Sequence, residues 1–223
     1  MLEVMPDWRE AYPGACVGVM AVSGVRNPQR DSALERQKAD LEDDLRKMYS
    51  GYDRAALKEI PALKVYNDYY KRFRKTYHVL LQLESVIFKG ATIPSVSALV
   101  ETMFMAELEH LLLTAGHDLD QVVLPVRVGV ARGDERYVRL NGEELTLKEG
   151  DMYIADRDKV LSSIIYGPDR STRITTDTKR VLFTVYAPHG ISSDQVREHL
   201  EEIGANVLQF SPEARLEALE LVT

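Results

Sequence analysis

Cysteine is almost absent from this sequence, because Cys16 is the only one among 223 residues. A lone cysteine excludes an internal disulfide framework and any zinc site built from cysteines. Cys16 also lies in the small, apolar run at residues 15–22, ACVGVMAV, which is typical of a buried strand. We therefore expect a buried, unreactive thiol rather than a nucleophile.

Long apolar runs and an excess of basic charge are also missing. No apolar run approaches the roughly 20 residues that span a bilayer, and the acidic, mixed start MLEVMPDWRE is unlike a signal peptide. These two absences predict a cytoplasmic protein without a membrane partner. The formal net charge of −7 argues against a nucleic-acid binder, because phosphate contacts usually need a basic surface.

Common cofactor and metal motifs do not occur either. Neither GxGxxG nor GxxxxGK is present, so no glycine-rich loop is predicted to hold a phosphate. The histidines stand at positions 78, 110, 117, 189 and 199, and none of them forms an HxH or HExxH pair. We expect no cofactor and no metal, and the sequence carries no direct sign of oligomerisation.

What the sequence does contain is a strongly apolar stretch at residues 94–120, PSVSALVETMFMAELEHLLLTAGHDLD. Ser95 after Pro94 suits a helix N-cap, apolar residues then recur at helical spacing, and Gly116 suits a left-handed C-cap. A polar turn at residues 117–120 follows. We predict one mostly buried helix, central to the fold, that ends at Gly116.

Helical patterns dominate the chain before this stretch. Asn27 is predicted to cap a helix at residues 28–48, whose faces are mostly charged as in a solvated surface helix. A second helical segment at residues 53–73 is interrupted at Pro61, and a third at residues 77–89 ends at Gly90. Residues 1–13 are predicted to be a short lead-in.

Strand patterns dominate the chain after it. The alternating residues of VLPVRVGVAR and RYVRL are predicted to pair in a hairpin across the Gly133-Asp134 loop. Asn141-Gly142 is the strongest hairpin signal and joins RYVRL to ELTL. Further strands are expected at residues 151–156, 160–166 and 181–186.

The last part of the chain returns to a helical pattern. A capping box of Ser192 and Gln195 begins a helix predicted to end at Gly204, before a last strand at residues 206–210 and a short terminal helix from Ser211. No repeat or linker divides the chain. We predict one α+β domain over residues 1–223: a strand and helices in 1–93, then the central helix, a mainly antiparallel, sandwich-like sheet and C-terminal helices in 94–223.

An aromatic and basic segment lies at residues 64–75. Its cations are Lys64, Lys71, Arg72, Arg74 and Lys75, with Tyr66, Tyr69, Tyr70 and Phe73 between them. Two interpretations stand. In the favoured one, an amphipathic helix packs its tyrosines inward and keeps its cations in water; in the other, the segment binds RNA by base stacking and phosphate contacts.

Short polar segments rich in Asp and Thr lie at residues 117–120, 167–172 and 174–178. Side chains of this kind usually bond to their own backbone in turns, so we expect Asp118, Asp120 and Asp177 to be local caps. The residue patterns alone thus predict an α+β domain without a recognisable catalytic set.

The order of four segments adds a resemblance to a known family. PSVSALVE, HDLDQV, YIAD and ITTDTKRVLFTVYAP follow one another as in the editing region of the phenylalanyl-tRNA synthetase beta subunit. The chain is most similar to the free-standing B3/4 domain proteins, over residues 94–188 and through the earlier ACVGVMAVSGV strand and tyrosine-rich helix. The resemblance implies a sandwich-like α+β fold and, in the synthetase, hydrolysis of mischarged tyrosyl-tRNA.

The resemblance also implies a site between the central helix, the turn after it and the loop after the VLSSIIY strand. Thr102 takes the place of the family's helix threonine, Asp169 lies near its editing glutamate, and His117 lies two places after its editing histidine. These three are the predicted catalytic residues. The implied ligand pocket comprises Ser97, Glu101, Met103, Ala115, Tyr166, Gly167 and Ser171.

Some of these positions depart from the family's pattern. Met103 replaces an asparagine, Phe104 a tyrosine and Ala115 the editing histidine, so groups that would position water and stabilise an oxyanion are missing. The resemblance implies an RNA-associated protein that binds or deacylates aminoacyl-tRNA in trans with a degenerate site, without a complete ligase activity. The alternatives are a module that binds an amino acid or other small ligand without RNA, and an interaction protein that uses a sheet edge or the charged helix.

Overall fold

The computed structural model describes all 223 residues, Met1–Thr223. The helices are α1 (Pro6–Ala11), α2 (Ser32–Met48), α3 (Arg54–Lys58), α4 (Pro61–Arg72), α5 (His78–Lys89), α6 (Ala98–His110) and α7 (Ser193–Phe210), with a short 3₁₀ helix at Leu119–Gln121. The strands are β1 (Leu2–Val4), β2 (Cys16–Ser23), β3 (Leu113–Asp118), β4 (Val126–Val130), β5 (Arg136–Val138), β6 (Glu144–Thr146), β7 (Met152–Ala155), β8 (Val160–Ser163), β9 (Gly167–Pro168), β10 (Arg180–Ala187) and β11 (Arg215–Val222). None of the helices combines the length with the apolar character that crossing a membrane requires.

Two larger sheets form the scaffold. One has five strands in the order β1-β4-β7-β8-β9, and the other has four in the order β11-β2-β10-β3. β5 and β6 form a separate two-stranded ribbon. Every pairing is antiparallel except that of β1 with β4, so the predicted α+β fold with a mainly antiparallel sheet is confirmed.

One hydrophobic core of 56 buried residues joins the helices to both larger sheets. The contact between α7 and β2 is close at Gly18, where an added Cβ would lie 2.7 Å from Val196 and 2.8 Å from Leu200. Glycine therefore lets the helix lie directly on the strand. Cys16 is buried in the same strand, and burial raises the pKa of its thiol to about 11, as expected of an unreactive cysteine.

Helix ends are confirmed where the sequence signal is local. Ser192 and Gln195 form the predicted capping box at the start of α7. Gly90 adopts a left-handed conformation, with φ of 65°, directly after α5. α3 and α4 are separated just before Pro61, which occupies the first position of α4, where its missing N–H costs nothing.

The predicted cap of α2 is wrong. α2 begins at Ser32, where the Asp31 carboxylate accepts hydrogen bonds from the backbone N–H groups of Ala33 (2.9 Å) and Leu34 (3.0 Å). Asn27 is buried and serves another helix, because its Oδ1 accepts from the backbone N–H of Leu99 (2.9 Å) near the start of α6. A free N–H at a helix start can be satisfied by any nearby oxygen, and tertiary packing brings Asn27 to α6.

The predicted extent of the central helix is also wrong. α6 starts at Ala98 after Ser97 and ends at His110, and Leu111 takes the left-handed conformation (φ 60°). The residues that follow form β3, in which Ala115 pairs with Thr184 of β10. An apolar run such as LLLTA suits either a buried helix or a buried strand, and pairing with a distant strand decides between them.

The predicted end of the chain needs a similar correction. α7 continues through Gly204 to Phe210, so residues 206–210 are not a strand. The predicted terminal helix is instead the strand β11, which pairs antiparallel with β2. Gly204 stays helical where α7 faces the core, and an added Cβ there would lie 3.2 Å from Sδ of Met20. The local sequence pattern reveals neither that α7 continues through Gly204 nor that β11 is a strand.

The strand pairings near the middle of the chain are partly as predicted. The Asn141-Gly142 hairpin is confirmed by the pairing of β5 with β6. The predicted hairpin across Gly133-Asp134 is wrong, because β4 lies between β1 and β7 and does not pair with β5. Residues 1–13, predicted as a lead-in, contain β1 and α1, and β1 exists through its parallel pairing with the distant β4.

Candidate ligand-binding site

A cavity of about 450 Å³ is lined by residues of α5, α6, β3, β8, β9 and β10. Its apolar lining consists of Val96, Val100, Met103, Phe104, Leu113, Ala115, Leu140, Pro168 and Ile174, with Gly116 and Gly167. Its polar lining consists of His78, Gln82, Glu107, Thr114, Ser163, Arg173 and Tyr186. A mostly apolar cavity with a few polar groups is typical of a site for a small ligand.

Helix periodicity explains the wall that α6 contributes. Val100, Met103, Phe104 and Glu107 follow the spacing i, i+3, i+4 and i+7, which places them on one face of the helix. β3 approaches this face at Gly116, where an added Cβ would lie 2.6 Å from Sδ of Met103. Gly116 therefore provides room at the cavity wall instead of the helix cap predicted for it.

Two polar groups of the cavity lining, Glu107 and His78, are uncharged at neutral pH. Burial raises the pKa of the Glu107 carboxyl to about 8, and the backbone N–H of Thr114 donates to its Oε1 (2.9 Å). Burial lowers the pKa of His78 to about 4, with Nδ1 3.0 Å from the Tyr70 hydroxyl. The cavity thus presents a neutral carboxylic acid and a neutral imidazole, both able to donate and accept hydrogen bonds.

Thr114 contacts α7 through its side chain. Its Oγ1 lies 2.5 Å from Nε2 of His199, which is fully buried. Burial lowers the pKa of His199 to about 3, so the ring is neutral, and its Nδ1 has no hydrogen-bond partner. Thr114 thus donates its backbone N–H to Glu107 and hydrogen-bonds to His199 through its hydroxyl. These two bonds connect α7 to the cavity wall.

The predicted pocket residues divide into two groups. Met103, Ala115 and Gly167 line the cavity, as does Phe104, which the resemblance also placed at the site. Tyr166 does not line it: the Lys75 ammonium lies 5.5 Å from the centroid of its ring.

The other three predicted pocket residues are used elsewhere. Ser97 is buried beside Asn27, whose amide donates to its Oγ (3.2 Å). Glu101 is buried in an ion pair with Lys38, at 2.8 Å between Nζ and Oε2. Ser171 is exposed, and its hydroxyl donates to Asp169. Each is committed to a local contact, and none of them lines the cavity.

Thr102, a predicted catalytic residue, faces the interior of the protein. Its hydroxyl donates to the backbone carbonyl of Ala98 in the same helix (2.8 Å), and the residue is fully buried. This bond one turn back is the usual arrangement for a threonine inside a helix. Thr102 does not line the cavity, although the next residue, Met103, does.

His117 and Asp169, the other two predicted catalytic residues, belong to one buried hydrogen-bonded chain. Thr172 donates to the Asp169 carboxylate, so its oxygen accepts from Nδ1–H of His117 (2.8 Å). Nε2 of His117 is then free to accept from the Ser162 hydroxyl (3.2 Å), which also contacts the Tyr186 hydroxyl. Burial lowers the pKa of His117 to about 4, so the ring is neutral, as this donor order requires.

The structure therefore does not bring the three predicted catalytic residues to one cavity. Thr102 and His117 are fully buried, and Asp169 lines a separate groove. The chain from Asp169 reaches the main cavity only through Tyr186, which lines it. The order of segments along the chain could not reveal this, because which way each side chain faces depends on strand register.

The tyrosines of the 64–75 segment pack inward, which confirms the favoured interpretation. Tyr66, Tyr69 and Tyr70 are all buried. The Tyr66 hydroxyl donates to the backbone carbonyl of Tyr186 and accepts from the backbone N–H of Leu113 (3.1 Å). These rings are structural, so the idea that they stack on RNA bases is wrong.

The cations of the same segment, predicted to contact RNA, are exposed. Lys64 pairs with Glu59 and Lys71 with Asp68, each at 2.9 Å between Nζ and a carboxylate oxygen. The Arg72 guanidinium lies over aromatic rings, 5.2 Å from the centroid of Tyr69. Arg74 and Lys75 form no ion pair in the structure.

Sequence reasoning missed the polar residues of the cavity, although a signal was present. Glu107 interrupts the apolar face of α6 three residues after Phe104, and a lone carboxyl on such a face is unusual. His78 and Gln82 are four apart on α5, hence on one face of that helix. Arg173 and Ser163 had no such signal, because a loop and a strand from distant parts of the chain bring them to the cavity.

A comparison with models of protein families identifies the family of this chain. A model of the B3/4 domain matches residues 65–205, which is more than half of the chain. The chain therefore belongs to the B3/4 domain family, and the predicted membership is confirmed. None of the curated proteins matches it.

Solved structures add a similarity of fold. The chain is similar to an N-terminal fragment of the phenylalanyl-tRNA synthetase beta subunit from Pyrococcus horikoshii, with a TM-score of 0.53 and 15% sequence identity. The match covers 100% of this chain and 54% of that chain, so this protein spans about half the length of the synthetase fragment. At this low identity the likeness shows the fold alone.

Proposed function

We propose that this chain recognises an amino acid, or the aminoacyl part of a larger ligand, in the cavity of about 450 Å³ between α5, α6 and the sheets. The observation that carries the proposal is the chemistry of the lining: a mainly apolar wall with neutral hydrogen-bonding groups at one side. Such a wall suits an apolar side chain, and the neutral groups suit the polar atoms attached to it. Membership of the B3/4 family, together with the resemblance of its segments to the editing region of a synthetase, supports the same class of ligand.

The placement of charge favours one orientation of the ligand. The inner wall holds Glu107 and His78 in neutral forms, so a full charge buried there would be costly. The exposed Arg173 also lines the cavity and is a suitable partner for a carboxylate or an ester carbonyl. The apolar side chain of the ligand would then point inward, with its carboxyl end at Arg173.

A panel of amino acids tests this proposal by thermal unfolding. A ligand present at about 100 times its Kd stabilises the folded state by about 2.7 kcal/mol, which for a chain of this size raises the Tm by roughly 5–10 °C. We expect apolar and aromatic amino acids, or their esters, to give the largest shifts. Charged amino acids should give none.

A matched pair of variants shows whether the cavity is responsible. Val96 and Leu208 are both about half exposed, at 50% and 46%, but only Val96 lines the cavity. Val96→Trp is expected to block the cavity and abolish the shift, and Leu208→Trp to leave it unchanged. A panel without any shift in the native protein, or equal loss in both variants, would overturn the proposal.

Hydrolysis of aminoacyl-tRNA in trans is a second candidate function. The observation in its favour is the hydrogen-bonded chain that runs from Asp169 through His117 to Tyr186 at the cavity. His117 and Asp169 stay predicted catalytic residues on this basis, whereas Thr102 is outside the chain. A general base acting through such a chain would need a bound substrate near Tyr186.

Deacylation of a panel of mischarged tRNAs tests the second candidate. The native protein should release amino acid faster than buffer from at least one tRNA. Asp169→Ala should lower that rate, while Asp177→Ala, at an exposed turn position, should not. Because Asp169 is buried and its substitution can disturb folding, circular dichroism of the variant is recorded alongside, and Asp169→Asn is measured as well. No rate above buffer with any tRNA would exclude the catalytic function.

A further inference from the structure

A second apolar space lies beside the cavity, between α5, α6 and residues 91–94. This side pocket has a volume of about 430 Å³. His78, Gln82 and Phe104 line both the side pocket and the cavity, so the two spaces adjoin at these three side chains. The rest of its lining is mostly apolar and includes Leu81, Val86, Ile93, Pro94 and Leu108, without any Asp, Glu, Lys or Arg. A ligand that extends from the cavity into the side pocket would therefore bury a second apolar group.

His78 offers a free hydrogen-bond acceptor to these two spaces. The Tyr70 hydroxyl donates its single proton to the backbone carbonyl of Ile164, so its oxygen accepts from Nδ1–H of His78 (3.0 Å). Because the ring is neutral, Nε2 carries a lone pair, and Nε2 makes no hydrogen bond within the protein. This tautomer suits a ligand that brings an N–H or O–H donor.

Gln82 carries an unpartnered amide at the same junction, one helical turn after His78 on α5. Its Oε1 is buried without a hydrogen-bond partner. A buried polar atom without a partner costs free energy, which a bound group that completes the hydrogen bond would recover. Because the amide can turn about its terminal bond, Gln82 can present either its C=O or its NH₂ group. Gln82 and His78 together can thus satisfy both the N–H and the C=O of an amide in the ligand.

We propose that the ligand is an N-acyl amino acid, in which an apolar acyl group is joined to the amino group by an amide bond. The proposal rests on the proposed function, since it keeps the apolar side chain in the cavity and the carboxylate at Arg173. The amide lies at Gln82 and His78, and the acyl chain lies in the side pocket. A dipeptide would instead bring an ammonium group into the side pocket, where no carboxylate lines the wall to pair with it.

Calorimetry with a small set of compounds tests the class of ligand. N-hexanoyl-L-leucine should bind at least about tenfold more tightly than N-acetyl-L-leucine, because each buried CH₂ group strengthens binding roughly fourfold. Hexanoate and L-leucyl-L-leucine should bind more weakly than N-hexanoyl-L-leucine, since the first lacks the amino acid and the second carries an ammonium group. The ester analogue, in which oxygen replaces the amide N–H, should also bind more weakly, because it brings no donor to the two acceptors.

Variants of single residues locate the two parts of the ligand. Thr92 and Thr146 are both exposed, but only Thr92 lines the side pocket. Thr92→Trp is expected to fill the pocket and abolish the advantage of the hexanoyl over the acetyl compound, and Thr146→Trp to leave it unchanged. Gln82→Leu removes the amide and should reduce the advantage of the amide over the ester analogue. Both readouts are ratios within one variant, so a partial loss of folded protein does not imitate them.

Three results would overturn the proposal: N-hexanoyl-L-leucine binding no more tightly than N-acetyl-L-leucine or hexanoate, L-leucyl-L-leucine binding at least as tightly, or equal loss of the hexanoyl advantage in both threonine variants. The thermal shifts with free amino acids report on the proposed function separately. Shifts with free amino acids but no gain from acylation would remove the side pocket and leave the proposed function standing. Absent binding of free and acylated compounds alike would remove both.

Discussion

Glu107 and His78 show how burial sets the chemistry of single residues in this protein. Each carries a group that is charged in water over part of the physiological pH range, and burial holds both in their neutral forms. The same applies to His117 and His199, whose pKa values burial lowers to about 4 and about 3. The buried polar groups of the cavity and its supports are thus neutral, and Arg173 is the one cation of the lining.

Replacing Glu107 by glutamine is expected to remove a dependence of stability on pH. The carboxyl titrates near 4.5 in the unfolded chain but near 8 in the folded protein, so the folded state binds more protons between these values and stability falls as pH rises. Between about pH 6.5 and 8.5 this group lowers the free energy of unfolding of the native protein by about 2 kcal/mol. Glu107→Gln should lose that fall in urea denaturation.

The exposed Glu201 provides the control for this prediction. Glu201→Gln should keep the slope of the native protein. The buried histidines titrate near 6.5 in the unfolded chain and stay neutral in the folded protein, so they add a rise in stability at the lower end of this pH range. They add it to all three proteins alike, so the comparison between the proteins is not disturbed. Asp151, whose pKa burial raises to about 7, adds a smaller fall to all three proteins alike. A slope in Glu107→Gln equal to that of the native protein would show that the carboxyl is not buried as described.

Local hydrogen bonding of Asp and Thr was within reach of sequence reasoning. The prediction that Asp120 and Asp177 are local caps is wrong, because the Asp120 carboxylate accepts from the distant Arg180 guanidinium (3.2 Å) and Asp177 takes part in its local bond only through its backbone. Asp118 does accept from the backbone N–H of Asp120 (3.1 Å), and the Thr175 hydroxyl accepts from the backbone N–H of Asp177 (3.3 Å). Such bonds join neighbours in the chain, so composition predicts them. The chain from His117 to Ser162 and Tyr186 joins three distant segments, and no local pattern carries it.

At the scale of the element, the helix ends show which features local sequence determines and which ones tertiary packing determines. α5 ends at Gly90, which adopts a left-handed conformation and has open space around it. α7 passes through Gly204 without ending, because its other residues pack on the core. The same residue type therefore marks an end in one helix and a close approach in another.

Two glycine substitutions distinguish these roles. Gly90→Ala should lower the free energy of unfolding by about 1 kcal/mol, because alanine is strained at a positive φ. Gly204→Ala should raise it by up to about 1 kcal/mol through helix propensity, reduced where Met20 must yield to the new Cβ. Chemical denaturation of both variants measures the difference.

The prediction fails if Gly204→Ala loses as much stability as Gly90→Ala, since that result would place Gly204 at a helix end. Gly51, whose φ is 90° and which also has open space, serves as a second reference for the cost of a left-handed position. Its alanine variant should resemble Gly90→Ala.

At the scale of the whole molecule, one core connects elements that are far apart in sequence. β11 pairs with β2, and β1 pairs with β4, so both ends of the chain are built into sheets. α6, β3 and β10 meet at the cavity together with β8 and β9 of the other sheet. The cavity therefore depends on both sheets holding their positions.

The chain is expected to unfold as one unit, in line with the predicted single domain over residues 1–223. Trp8 is the only tryptophan and is fully buried in this core, so its fluorescence reports on the N-terminal part. Far-UV circular dichroism reports on all helices and sheets. The two transitions in urea should coincide. Separate midpoints would indicate independently folding parts and contradict the single domain.

The sequence by itself determined the class of fold, the capping box of α7, the glycine end of α5, the inward face of the tyrosine-rich helix, and the family. Each of these depends on residues close together in the chain, or on an ordered series of segments. For Met103, Ala115 and Gly167 the family resemblance also placed the right positions at the cavity.

Only the tertiary structure decided where α6 ends, that β11 is a strand, and which polar side chains face the cavity. The physical reason is the same in each case. An apolar run satisfies a helix or a buried strand equally well until a distant strand supplies its hydrogen bonds, and strand register then sets which side chains face inward. That pairing made β3 from the end of the predicted central helix and buried His117, while a loop outside the sheets brought Arg173 to the cavity.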